Sequence, residues 1–457
     1  MSVAQEKLTN LLTASAAALL LMVTPQLAGA GVFERELERA LSSSDQIMAT
    51  QKAYLSARED VHIANSGNEW SSSLSLDGTR KNEAVNGDNF NQSDSRNLTL
   101  QVKKKLYDGG VSSAQEAVAM LSLDLAMMQV QMMEESVLLE AVRVFTALST
   151  ARDRLRISSA NLARLEEHLR ASSLRVEIGE STTTELSGTK ARFARAKANL
   201  IQAESNLATA EATYRSFIGN PPENLEIADI LVDLPLSALN AADLALQHKP
   251  SHKISFIRER IARKTMDVLL AQIRPKLDLT LTGKTADAQS RLMDKETFSA
   301  SLMFSMPLYP SSSVFAKSRG AVADHQKSLF DLTDNRRTTQ LNAENAYRAF
   351  QAADAVILAY SAELDAANAV LDGTKQEVTF GQKTQLDLLD AEQDVVTAQL
   401  NLLVARQDRV NSAYQLLAAS GQLTPSNLGL TGMASPSSLP ALENPIVGPF
   451  PLLNYPE

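Results

Sequence analysis

The sequence predicts a mainly α-helical chain with a β-barrel portion, its long antiparallel coiled-coil helices arranged as an internal tandem duplication. Three observations carry that reading. There are two very long blocks free of proline, one constant shift that superimposes the two halves, and four short patches of alternating hydrophobicity.

No proline lies between Pro25 and Pro221, or between Pro310 and Pro425. Proline is expelled from helix interiors because it lacks the N–H and clashes with the preceding turn. Residues 111–178 also lack glycine, and as one helix they would run about 100 Å. Apolar residues there, among them Val118, Leu121, Leu125, Met128, Met132, Leu148, Leu155, Leu162, Leu165 and Leu169, recur mostly three, four or seven apart. That is coiled-coil spacing. Met120, Met127, Met128, Met132 and Met133 read as core filler rather than a metal or substrate box.

The halves superimpose at a shift of 202. Leu106-Tyr107 matches Leu308-Tyr309, Gly179 matches Gly381, and Gly219 matches Gly421. Between these marks Thr182 pairs with Thr384, Glu185 with Asp387, Leu186 with Leu388 and Asn199 with Asn401. Long helices are expected at about 110–178, 182–218, 313–379 and 384–420, within repeats 31–219 and 256–423. An equatorial connection spans 220–255, and a Pro-rich tail spans 424–457.

Each repeat carries two strand patches. Leu98, Leu100, Val102 and Leu106 share one face, and Asn97, Thr99, Gln101, Lys103 and Lys105 the other. Phe298, Ala300, Leu302, Phe304 and Met306 alternate with serines, Met303 excepted, while Leu74 and Leu76, and Leu277, Leu279 and Leu281, alternate likewise. Strands are expected at 71–79, 96–106, 276–284 and 297–307, with polar loops at 83–95 and 285–296. One apolar and one small-polar face suit a membrane barrel with a wet lumen. The pattern by itself equally fits an ordinary half-buried hairpin of a soluble domain; if these are membrane strands, four cannot close a barrel and several chains must contribute.

Residues 11–23 form an apolar run followed by Ala28-Gly29-Ala30, so residues 1–30 read as an export signal. No other apolar run is long enough for a membrane helix. Cysteine is absent, which excludes thiolate metal sites and cysteine nucleophiles. The net charge of −9 argues against nucleic acid as a partner. The sequence holds no HExxH, GxSxG or phosphate-loop motif, and the five histidines are scattered, with His62 and His168 expected to be exposed. No enzyme activity, cofactor or metal site is expected.

These features resemble the TolC family of bacterial outer-membrane channels, over about residues 33–423. The residues that carry the resemblance are the strand-to-helix signature Leu106-Tyr107-Asp108-Gly109-Gly110, its second copy Leu308-Tyr309-Pro310, and the helix-turn-helix tips Ile178-Gly179 through Glu185 and Phe380-Gly381 through Ala391. The resemblance implies a homotrimer in the outer membrane. Four strands per chain form one 12-stranded barrel, continued by a long periplasmic α-barrel. It also implies a passive exit duct for efflux or type I secretion, partnered by a periplasmic adaptor and an inner-membrane pump or ABC exporter, with outer-membrane lipid around the barrel.

By the same resemblance Asp387 and Asp390 ring the closed aperture, and Glu185 and Lys383 form an interhelix link that holds it shut. Lys383 stands where the family often has arginine, and Val378 where some members have tyrosine. Asp387 and Asp390, three apart, share a helix face. Six carboxylates from three chains would favour cations. The alternative for both is plain solvated helix charge. The alternative for the whole chain is an exported trimeric coiled-coil structural or adhesive protein, although such a stalk has no need of two matching hairpins.

Overall fold

The computed structural model describes residues 31–85, 89–221, 232–288, 295–309 and 312–430. The expected export signal, Pro310 and most of the Pro-rich tail lie outside them. Two helices open the chain, α1 (Val32–Ser43) and α2 (Asp45–Ser66), followed by strands β1 (Ser71–Val85) and β2 (Asn89–Tyr107). The first long hairpin is α3 (Val111–Glu177) and α4 (Thr183–Phe217). Then come α5 (Ala238–His248), α6 (Pro250–Ala271), β3 (Lys276–Ala288) and β4 (Lys295–Ser305). The second long hairpin is α7 (Ser312–Thr379) and α8 (Gln385–Ala419). With 67 and 68 residues, α3 and α7 each run about 100 Å. Among the described residues no helix is long and apolar enough to cross a membrane.

The four strands make one antiparallel sheet in the order β1-β2-β3-β4, so the β2–β3 pairing joins the two repeats. The register keeps the faces separate. Leu74 opposes Leu100, Val102 opposes Leu281, Leu279 opposes Leu302 and Leu277 opposes Phe304. On the other face Gln101 opposes Thr282, and Thr280 opposes Ser301. Met303, the exception to the alternation, stands on this polar face opposite Asp278. The leucine face is bare: Leu76 is 76% exposed and Phe298 78%. An uncovered apolar sheet in water would be an aggregation hazard, whereas lipid covers it at no cost.

The hairpins run further than the alternation suggested. β1 and β2 stay paired out to Val85 and Asn89, so most of the expected loop at 83–95 belongs to the ladder. β3 and β4 likewise pair out to Ala286 and Lys295, inside the expected loop at 285–296. Backbone pairing needs no hydrophobic face where both sides are wet. Arg80 there donates two hydrogen bonds to Asp94, at 2.9 and 2.8 Å. β4 stops at Ser305, short of the expected 307, because Pro307 has no N–H to give a ladder.

Strand passes to helix at Asp108-Gly109-Gly110. Both glycines take positive φ, 75° and 88°. The Asp108 carboxylate accepts from Gly110 N at 3.0 Å, from Ser112 N at 2.8 Å and from the Ser112 hydroxyl, which caps α3. Burial pushes this carboxyl up. The Ser112 and Gly110 bonds, with Lys105 nearby, outweigh that and hold it below the ordinary carboxylate range. A Cβ on Gly109 would meet Ala271 O at 2.8 Å, so this turn is pressed against the α6–β3 connection. Tyr107 and Tyr309, the aromatic members of the two junctions, are both exposed.

Halfway along the long helices lies the main core. Phe33 and Leu37 of α1, Leu138 and Phe145 of α3, Tyr214 of α4 and Tyr414 of α8 meet there. Phe33 packs edge-on against Phe145, with ring centroids 4.8 Å apart. The Tyr214 hydroxyl donates to Glu36 at 2.8 Å, and both residues are buried. The methionines divide: Met133 packs on this core and Met127 beside Tyr54, while Met120 and Met132 are exposed.

Candidate functional site: the paired helix tips

At the far end of each long hairpin the chain turns in the same way. Gly179 and Gly381 close α3 and α7 with φ of 80° and 74°. At the first tip Gly179 N donates to Val176 O and Glu180 N to Arg175 O. At the second, Gly381 N donates to Val378 O and Gln382 N to Glu377 O. These bonds satisfy carbonyls that the helix end leaves open. Nothing lies within 4 Å of a Cβ on either glycine, so the conformation alone calls for glycine there.

The next helices start on threonine caps. The Thr182 hydroxyl accepts from Glu185 N at 3.2 Å, and the Thr384 hydroxyl from Asp387 N at 3.3 Å. Asp387 completes a capping box, its carboxylate accepting from Thr384 N at 2.8 Å and from Thr384 Oγ1 at 2.7 Å. Those bonds, and then Lys383, hold the exposed Asp387 carboxyl below its ordinary range. In the first tip the Glu185 carboxylate takes the Ser181 hydroxyl at 2.7 Å instead.

The expected link between Glu185 and Lys383 does not form within the chain. Lys383 lies in the turn before the cap and folds back along its own hairpin, with Nζ 2.7 Å from Glu377 Oε2 and 3.5 Å from Thr374 Oγ1. Asp390 is not a bare charge either. It pairs with Arg192 of α4 at 2.6 Å, its own side chain 61% exposed.

Four further residues lace α3 to α8. His168 Nε2 lies 3.1 Å from the Glu392 carboxylate, and His168 Nδ1 lies 3.1 Å from Gln385 Nε2. The Arg175 guanidinium reaches Gln385 Oε1 at 3.5 Å. His168 is thus half-buried and engaged, not the exposed residue expected, while His62 is exposed. Beneath the lacing Leu165, Ala196 and Leu389 form a small core with Leu162 and Phe193. Departure from the internal repeat was the one sequence signal for these contacts. At the shift of 202, His168 falls on Val370, Glu392 on Lys190, Arg192 on Asp394 and Asp390 on Gly188.

A family profile described as outer membrane efflux protein matches residues 37–220 and 241–422, one segment for each repeat. The chain belongs to the outer membrane efflux protein family. This efflux-family chain is similar to the outer membrane efflux protein BepC of Brucella suis, 26% identical over 333 residues, which are 72% of this chain and 73% of BepC. It is also similar to the alkaline protease secretion protein AprF of Pseudomonas aeruginosa, 25% identical over 67% of this chain and 65% of AprF. Among solved structures, the CmeC outer membrane channel of Campylobacter jejuni superimposes with a TM-score of 0.76 at 14% identity, covering 86% of each chain. The open state of the MtrE outer membrane channel of Neisseria gonorrhoeae does so with a TM-score of 0.74 at 18% identity, covering 86% of this chain and 89% of that one.

The shared fold is that of TolC-like trimeric channels. In it the sheet edges left open at β1 and β4 are closed by neighbouring copies, and three four-stranded sheets complete one barrel. This efflux-family protein is an outer-membrane channel with a periplasmic helical extension, and not an enzyme.

Proposed function

We propose that the chain is the outer-membrane exit duct of a tripartite efflux or type I secretion system. It passively conducts substrate handed on by a periplasmic adaptor and an inner-membrane pump or ABC exporter. Outer-membrane lipid covers the leucine face of its barrel. One observation carries this reading: a single chain joins a bare apolar-faced sheet to two long hairpins whose far tips are laced together. The tips are the gate. Three copies bring six aspartates to the aperture, Asp387 fully charged and Asp390 partly offset by Arg192. Like charges so placed repel unless cations neutralise them, so the aperture selects cations and takes divalent block from the periplasmic side.

Planar-bilayer recording tests this. The double variant Asp387→Asn with Asp390→Asn removes the charge, while an amide oxygen at 387 can still accept from Thr384. Loss of divalent block with the trimer intact is the expected result. Wild-type block in that variant would reduce both residues to helix-end chemistry.

A further inference from the structure

The polar face of the sheet carries its own charge, opposite in sign to the aperture. By register Lys103 faces Ser71 and Thr280, Lys276 faces Ser305, and Lys284 faces Thr99 and Thr297. Lys105 faces Asp278. None of these four lysines makes a salt bridge among the described residues. The charged side chains described on this face of the strands are those four and two aspartates, Asp77 and Asp278, although the whole chain has a net charge of −9. Lys103 and Lys105 are exposed and line a concavity of about 670 Å³ with Lys104, Gln101, Asp278 and Thr280, where Glu69 supplies one more acid and the Asp108 carboxylate lies near Lys105. On the opposite face Lys104 places its Nζ 5.1 Å over the Trp70 ring. Tryptophan and a reaching lysine together mark a membrane interface. The Lys103–Lys105 pair therefore sits at the periplasmic base of the barrel, facing the lumen.

We propose that Lys103 and Lys105 from three chains form a basic ring at the base of the barrel that binds polyvalent anions and favours anions in transit. Charged rings set selectivity because a low-dielectric wall focuses the field of unneutralised groups into the pore. Neutral hydroxyls flank Lys103 on both neighbouring strands, so its charge goes undamped in each copy. The duct then carries two filters in series, acidic at the tips and basic at the barrel. Cargo or plugging ligands rich in phosphate or carboxylate meet favourable charge only in the second. This inference rests on the duct reading above, and the test separates the two.

The trimer is reconstituted in a planar bilayer without divalent cations, and inositol hexakisphosphate is added on the extracellular side. Block of the current is expected, weakened at least tenfold in the double variant Lys103→Gln with Lys105→Gln and nearly unchanged in Lys104→Gln. The same block is expected in the Asp387→Asn, Asp390→Asn channel, since the probe reaches the barrel first. In a salt gradient the lysine double variant should shift the reversal potential toward cations. A bilayer with no conductance overturns the duct reading. Conductance that inositol hexakisphosphate leaves untouched, or blocks equally in the lysine double variant, overturns the ring.

Discussion

Arg192→Ala probes the gate most directly. Arg192 joins Asp390 at 2.6 Å and is the described ion pair that ties α4 to α8 at the tips. The Arg192 side chain is 27% exposed and that of Asp390 61%. Water screens such a pair, which limits its contribution to about 0.5–1 kcal/mol per copy. If the three hairpin pairs of a trimer open together, the contributions sum to about 1.5–3 kcal/mol, a ten- to hundredfold rise in the open population. Losing Arg192 also leaves Asp390 unbalanced, so the carboxylate ring gains charge. Bilayer recordings of Arg192→Ala should therefore show two changes at once: a higher open probability, and tighter divalent block of the channels that remain closed. The double variant Arg192→Ala with Asp390→Ala should keep the first change and lose the second. Wild-type opening in Arg192→Ala would show that the pair is decoration and that the apolar contact of Leu165, Ala196 and Leu389 closes the tips by itself.

Other outcomes follow from the same geometry. Gly109→Ala forces a side chain into positive φ and against Ala271 O at 2.8 Å, whereas Gly179→Ala meets open space. The first should fail to assemble in the membrane, while the second should lose only about 1–2 kcal/mol, read by denaturant unfolding of the trimer. Tyr214→Phe takes a donor from the buried Glu36 and should cost about 1.5–3 kcal/mol in the same assay. The Asp387 carboxyl is held below its ordinary range, so its cap stabilises the tip above the usual aspartate range and is lost as pH falls through the depressed value. The protection of the 385–388 amides relative to their intrinsic exchange rates should therefore be flat near neutrality and fall only in strong acid. Asp387→Ala should lower that protection near neutrality and leave it unchanged in strong acid, where the wild-type cap is already lost.

The parts of this fold that local chemistry decides were legible in the sequence. Gly179 and Gly381, Thr182 and Thr384, and Leu106-Tyr107 sit at fixed offsets because a turn, a cap and a junction each need particular residues at particular places. The long helices followed from where proline and glycine are missing. Contacts set by how one hairpin leans on the other were not legible. His168 and Glu392 are 224 residues apart, and their departure from the internal repeat marks both positions without saying that they meet. Within the chain Glu185 and Lys383 each take a nearer partner, Ser181 for Glu185 in the first turn of α4 and Glu377 for Lys383 in the turn before α8. The outer ends of the strands escaped notice because a ladder standing in water leaves no alternation to read.

The two classes of contact at the tips differ in strength as well as in legibility, and a gate needs that difference. The turn hardware is duplicated, local and geometrically complete: glycine in positive φ, threonine cap, carboxylate beside it. It fixes each hairpin as a rigid body. The lacing between hairpins is unrepeated and lies at the hairpin surfaces: Arg192 to an exposed Asp390, and His168 to Glu392 and Gln385, half-buried. The exposed pair is worth little in water, so hairpins can part without unwinding. A substitution of the turn glycines or cap threonines should lower trimer stability and leave the closed state's selectivity alone. A substitution in the second should change opening at nearly constant stability. If Gly381→Ala opens the channel as readily as Arg192→Ala does, the hairpins bend at their turns instead of swinging apart, and the division of labour between turn and lacing is wrong.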